Sequence, residues 1–147
     1  MKNKICIHAH IESSIFFIAI KEVMEQMDKN IIFHKIDKSK SILEYFETIM
    51  KYENNFLLYE LTSIDKDIVD FLELLVNIIP NISIIVLTDR ITVSKIRNLY
   101  QIGIKGILNV KTDTERIVEQ ISTVIDGKKV LSSKFYDTII EHFSNEE

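Results

Sequence analysis

Residues 82–133 read ISIIVLTDRITVSKIRNLYQIGIKGILNVKTDTERIVEQISTVIDGKKVLSS. Ile82 to Thr88 is a β-branched apolar run and predicts a buried strand. Thr92 to Ile102 has helical spacing and closes on Gly103, the residue type that most easily takes the left-handed turn after a helix. A second short strand follows at Gly106-Ile107-Leu108-Asn109-Val110. Thr112, with Glu115 three residues on, has the pattern of a capping box and predicts a helix that ends at Gly127. A last short helix runs from about Ser132 to Phe143.

The same alternation extends back to the N-terminus. Strand-like runs stand at Ile5 to Ala9, Ile31 to Ile36 and Phe56 to Leu61. Helical stretches stand between them. Ser14 to Met27 carries Ile15, Ile18 and Val23 on one stripe. A second helix, capped by Ser39 or Ser41, runs through Tyr52 with Ile42, Tyr45, Phe46 and Ile49 as its apolar side. A third spans about Asp65 to Ile79 and stops near Pro80. Five strand–helix units in series imply a parallel sheet covered on both faces. The third and fourth runs are nearly continuous in apolar residues, as central strands should be. The chain divides into a domain over residues 1–128 and a C-terminal linker helix and tail over 129–147.

Composition narrows the function classes. The chain has 147 residues, a net charge of −4 and a single cysteine, Cys6, so a disulfide scaffold and a cysteine-rich zinc site are excluded. No apolar run approaches the length of a membrane span and the N-terminus lacks a signal-peptide pattern, which points to the cytoplasm. The acidic balance argues against this chain alone gripping a phosphate backbone. Charge is uneven, net −4 over residues 1–87, +4 over 88–134 and −4 over 135–147. The abundance of isoleucine reads as AT-rich codon usage and carries no functional meaning.

The pattern from Ile82 to Ser133 resembles the receiver domain of bacterial response regulators, in the style of the LuxR/NarL type. A strand ends in Thr88, Gly103 and Gly106 bracket the turn into the fifth strand, Gly127 closes the fifth helix, and Leu131-Ser132 matches the start of a linker helix. The resemblance extends loosely over the rest of the chain. It implies a doubly wound, five-stranded parallel sheet of the flavodoxin/CheY-like kind, with strand order 2-1-3-4-5 and a C-terminal linker helix. Ligands of such sheets sit at the carboxyl ends of the strands.

The resemblance also implies a chemistry. A receiver uses an aspartate after strand three to attack phosphorus, and an acidic pair after strand one to hold Mg²⁺, which wants oxygen ligands in octahedral array. A Thr or Ser after strand four and a lysine after strand five receive the phosphoryl oxygens. Here the acceptor position is Glu60, whose extra methylene displaces the attacking oxygen. The acidic pair is reduced to Glu12 within His8-Ala9-His10-Ile11-Glu12. The loop Thr62-Ser63-Ile64-Asp65-Lys66 lacks a Pro-Gly turn. Asp89 follows Thr88 where a small residue is usual. Strict spacing places Val110 at the lysine position, with Lys111 one place later. Only Thr88 matches cleanly. The expectation is a degenerate pseudo-receiver, with no catalysis and no cofactor. Glu60, Glu12, Asp65, Thr88, Asp89 and Lys111 form its altered pocket. Glu60 is either a weak mimic of phospho-aspartate, acting through Lys111 or Thr88, or an ordinary paired carboxylate at a strand end.

Other polar residues support weaker readings. His8 and His10 share one face of a strand and His34 lies on the neighbouring run, but ordinary packed histidines explain them better than a metal. Ser13-Ser14 is a thin match to a flavin-phosphate turn. Asn81-Ile82-Ser83 fits a glycosylation acceptor only formally, because it opens a buried strand. Cys6 reads as a small hydrophobe. The basic residues Lys95, Arg97, Lys105 and Arg116 mark the helix 4–strand 5–helix 5 side as a dimer or partner face, with Asp113, Glu115 and Glu119 supplying opposite charge nearby. The expected role is signal transduction or transcription regulation through protein–protein contacts. The alternatives are a stand-alone adaptor that docks on a kinase or regulator and, third, a working phospho-receiver. DNA would be reached only through a helix-turn-helix module that these residues do not contain, and no membrane partner is implied.

Overall fold

The computed structural model describes residues 4–37 and 42–145. Ser39 and Ser41, the expected caps of the second helix, lie outside the described residues. The elements in chain order are β1 (Ile5–His10), α1 (Ser14–Met27), β2 (Ile31–Lys35), α2 (Ile42–Ile49), β3 (Asn54–Glu60), α3 (Lys66–Ile78), β4 (Ile82–Thr88), α4 (Val93–Gln101), β5 (Gly106–Asn109), α5 (Thr114–Ile125), β6 (Val130–Leu131) and α6 (Ser133–Ser144). The sheet is parallel throughout, in the order β2-β1-β3-β4-β5-β6.

The expected order 2-1-3-4-5 is present, and the difference lies at its edge. Val130 and Leu131 add a sixth strand beside β5, pairing Gly106 with Val130 and Ile107 with Leu131. Two residues are too short a run for periodicity to reveal, and the segment reads as linker in the sequence.

Alternation along the strands builds two cores. Ile7, Ala9, Phe56, Leu58, Ile85, Leu87 and Leu108 pack on one face with Phe17, Ile20 and Met24 of α1 and Ile117, Ile121 and Val124 of α5. Leu57, Ile84, Val86 and Ile107 point to the other face. There they meet Tyr45 and Ile49 of α2, Leu72 and Leu75 of α3, Ile96 and Leu99 of α4, and Phe135 of α6. This is the period-two pattern of strands buried on both sides.

The helix ends follow local chemistry. Ser13, Asp65, Thr92 and Asp113 each accept a bond from the backbone N–H three residues on, which satisfies a donor the helix itself leaves open. The cap of α5 is thus Asp113, one residue beyond the expected Thr112. Its anionic carboxylate suits the positive end of the helix dipole. Gly103 closes α4 with φ +105°, and a Cβ there would sit 3.2 Å from Val76 Cγ1. Asn81, at φ 60°, makes the turn into β4, a conformation its short polar side chain tolerates.

Candidate functional site

The carboxyl ends of the central strands converge as the resemblance implies. His10 stands opposite Tyr59, Glu60 opposite Leu87, and Thr88 opposite Asn109. A cavity of about 440 Å³ opens at the ends of β1 and β3, lined by His10, Glu12, Tyr59, Glu60, Thr62, Ser63 and Asp65 among others. A neighbouring cavity of about 600 Å³, between the end of β2 and the loop after β1, shares Glu12 and adds Ile11, Lys35, Ile36 and Asp37.

Within this frame the altered residues engage one another in ways the sequence does not reveal. Glu60 Oε1 accepts the backbone N–H of Glu12 at 2.8 Å. The extra methylene of the glutamate is what lets its carboxylate bridge from β3 to the loop after β1, and a bond to an ionised acceptor is among the stronger ones. Asp65 is a helix cap, its Oδ1 accepting the Ile68 N–H at 2.9 Å while the residue also borders the cavity. The Thr88 hydroxyl, fully buried, donates to the carbonyl of Arg90 at 3.3 Å. Lys111 reaches across from the end of β5 to Asp89, Nζ to Oδ2 3.5 Å. Both groups are solvated, so this pair contributes little to stability. Its effect is local: Lys111 already has an anion, Asp89, beside it.

The histidines separate into two settings. His8 is fully buried; its Nε2 lies 2.8 Å from Asn55 Oδ1 and its Nδ1 3.8 Å from Cys6 Sγ. Asn55 in turn donates through Nδ2 to the carbonyl of Tyr52 at 2.8 Å. That last bond fixes the amide orientation, so His8 Nε2 carries a proton and donates it to Asn55 Oδ1. Burial holds the His8 pKa below its ordinary value, opposed in part by the Asn55 bond, and the nearby His34 pushes the same way as burial. Burial also pushes the Cys6 thiol up to about 12, so it is no nucleophile. His34 stands edge-on to His8 with ring centroids 6.2 Å apart. His10 stacks on Tyr59 at 4.3 Å, between strands rather than toward its neighbour. Among the described residues no group of three or more His, Cys, Asp or Glu is arranged to hold a metal ion. Asn55 is the partner that sequence reading missed; a polar residue opening an apolar strand opposite Cys6 was its only signal.

The basic side chains do not form one open face. Arg97 on α4 and Arg116 on α5 are exposed, while Lys95 and Lys105 are half-buried. Between the two helices the outer edge of β5 is taken by β6, and α6 packs against α4. Asp113, expected to offer opposite charge to a partner, is used as the α5 cap.

The chain's arrangement of strands and helices recurs in solved structures. It superimposes on the isolated receiver domain of RcsB from Salmonella enterica serovar Typhimurium, solved in the presence of phosphomimetic BeF3⁻, with a TM-score of 0.71 at 16% identity, covering 92% of this chain and 99% of that one. This is the receiver fold. A LuxR family DNA-binding response regulator from Silicibacter pomeroyi gives 0.68 at 13% identity, covering 90% and 98%. A response regulator from Thermotoga maritima gives 0.67 at 15% identity, covering 84% and 99%. No family model matches the sequence, and no curated protein matches it either. The likeness is therefore one of fold, carried by strand order and helix placement rather than by shared side chains. Among the described residues no helix is long and apolar enough to cross a membrane.

Proposed function

We propose that this receiver-fold domain serves in signal transduction through protein–protein contacts, and that it does so without phosphoryl transfer. One observation carries the reading. Glu60, at the acceptor position, holds the main-chain N–H of Glu12, so the two carboxyl-bearing positions that would flank Mg²⁺ are tied by a backbone bond. A divalent ion needs several oxygen ligands free to turn toward it. The surrounding polar groups support the same reading: Asp65 caps α3, Thr88 bonds the Arg90 carbonyl, and Lys111 faces Asp89. In this account Glu60 is a structural clamp between β1 and β3 rather than a mimic of phospho-aspartate, and the domain turns over no substrate.

The partner is another protein or a second copy of the chain. The helix 4–strand 5–helix 5 side remains the proposed contact region in its exposed parts, Arg97 and Arg116, while the edge between them is covered by β6 and α6. A titration with Mg²⁺, and with Mn²⁺ as a paramagnetic probe, tests the loss of chemistry. The expected result is no saturable shift at Glu12 or Glu60 at millimolar metal. Saturable broadening centred on those residues overturns the proposal.

A further inference from the structure

The C-terminal segment is joined to the rim of the site by polar contacts that a passive linker does not need. Val130 N–H donates to the Lys105 carbonyl and Ser132 N–H to the Ile107 carbonyl, both at 3.0 Å, which closes the outer edge of β5. The buried Ser132 hydroxyl accepts the Asn109 N–H at 2.8 Å, satisfying the last donor of β5. Lys134, in the first turn of α6, donates to the Asp89 carbonyl at 2.7 Å. Asp89 is the residue whose carboxylate meets Lys111, and it follows Thr88 directly. Phe135 is the one fully buried side chain of α6.

We infer that β6 and α6 form a displaceable cover over the β5 edge, latched at the rim of the site by Lys134 on Asp89 and Ser132 on Asn109. Among the described residues the attachment is limited to a two-residue strand, one fully buried aromatic with half-buried Val130, Leu131 and Ile139 beside it, and three side-chain bonds, the third from the Tyr100 hydroxyl to the Val130 carbonyl at 2.5 Å. The remaining sheet is held by the much longer ladders of β1, β3 and β4. Segments with few buried contacts open at lower free energy than the core. Opening uncovers the backbone groups of β5 from Lys105 to Asn109, a strand edge able to pair with another chain. Because the latch grips Asp89, any contact that moves the Asp89–Lys111 pair also loosens the cover. The inference goes beyond the loss of phosphoryl chemistry and stands whether or not that chemistry is lost.

Hydrogen exchange on the full chain tests it. In the wild-type protein the amides of residues 130–144 should exchange faster than those of β3 and β4. Lys134→Met removes one latch without touching a buried group, and exchange over 130–144 should rise about fivefold, the effect of one modest hydrogen bond, with β1 and β3 unchanged. Ser132→Ala should act in the same direction; if it lowers protection throughout the fold, Lys134→Met alone decides. Exchange of 130–144 at the same rate as β3 and β4 in the wild type would show an integral part of the core. That result, or a Lys134→Met rate within about twofold of wild type, overturns the inference.

Discussion

His8 illustrates how a buried side chain can make the fold sensitive to acid. Its folded pKa lies below the value of about 6.5 that it regains on unfolding, so the unfolded chain binds more protons through this window. The stability linked to neutral His8 is present in full above about pH 6.5 and is lost as pH falls toward the folded pKa. Denaturant unfolding between pH 7.5 and 5 should show stability declining with acid, on the order of the usual window for histidine, and His8→Gln should flatten that slope. A slope equal in both proteins would place the acid sensitivity elsewhere. Glu60 separates the clamp from the mimic at the same scale. Glu60→Ala removes the acceptor of the Glu12 N–H and, because that bond is exposed to water, should cost about 0.5–1.5 kcal/mol of stability. Glu60→Gln keeps an acceptor oxygen and should leave the sedimentation profile unchanged. A change in self-association with Glu60→Gln would restore the mimic reading.

Elements were the most legible level of this sequence. β4 and α1 have the expected bounds, because a seven-residue run that is apolar apart from Ser83 and Thr88 and a fourteen-residue helical stretch each leave few alternatives. The buried side of α1, however, is Phe17, Ile20 and Met24, while Ile15 and Ile18 of the expected stripe are exposed. Gly103 marks the end of α4 for a reason visible in the backbone, a positive φ beside Val76. β6 was not legible, since its pairing depends on a partner edge that only the folded sheet provides. Caps were partly legible: Thr92, expected as the first residue of α4, is its N-cap, whereas Asp113 displaced Thr112 because a carboxylate one residue on satisfies the same helix end with a charge as well. Asp65 carries a prediction at this level. As a cap of α3, Asp65→Asn should be nearly neutral and Asp65→Ala should lower stability by about 1 kcal/mol, read by thermal or chemical unfolding. Equal losses in both would point to a role for the charge in the cavity instead.

At the scale of the whole molecule, the scaffold and its pocket follow different logic. Strand order and the position of the pocket were readable, because both depend on hydrophobic patterning and on the topology of parallel crossovers. The pairings inside the pocket were not. That Glu60 reaches Glu12, that Lys111 reaches Asp89 and that Lys134 grips the Asp89 carbonyl are contacts across 48, 22 and 45 positions of sequence, and no local pattern encodes them. The proposed contact region was legible as a basic stretch but not as a divided surface, since β6 had no place in a five-stranded frame and the C-terminal helix was read as a linker rather than as packing on α4.

The central claim is that a receiver scaffold is retained here without its phosphoryl chemistry. Incubation of the intact protein with a small acyl phosphate and Mg²⁺, followed by intact-mass spectrometry, addresses it most directly. The account predicts an unchanged mass. A mass gain of one phosphoryl group that requires Mg²⁺ and maps to Glu60 or Asp65 would contradict it.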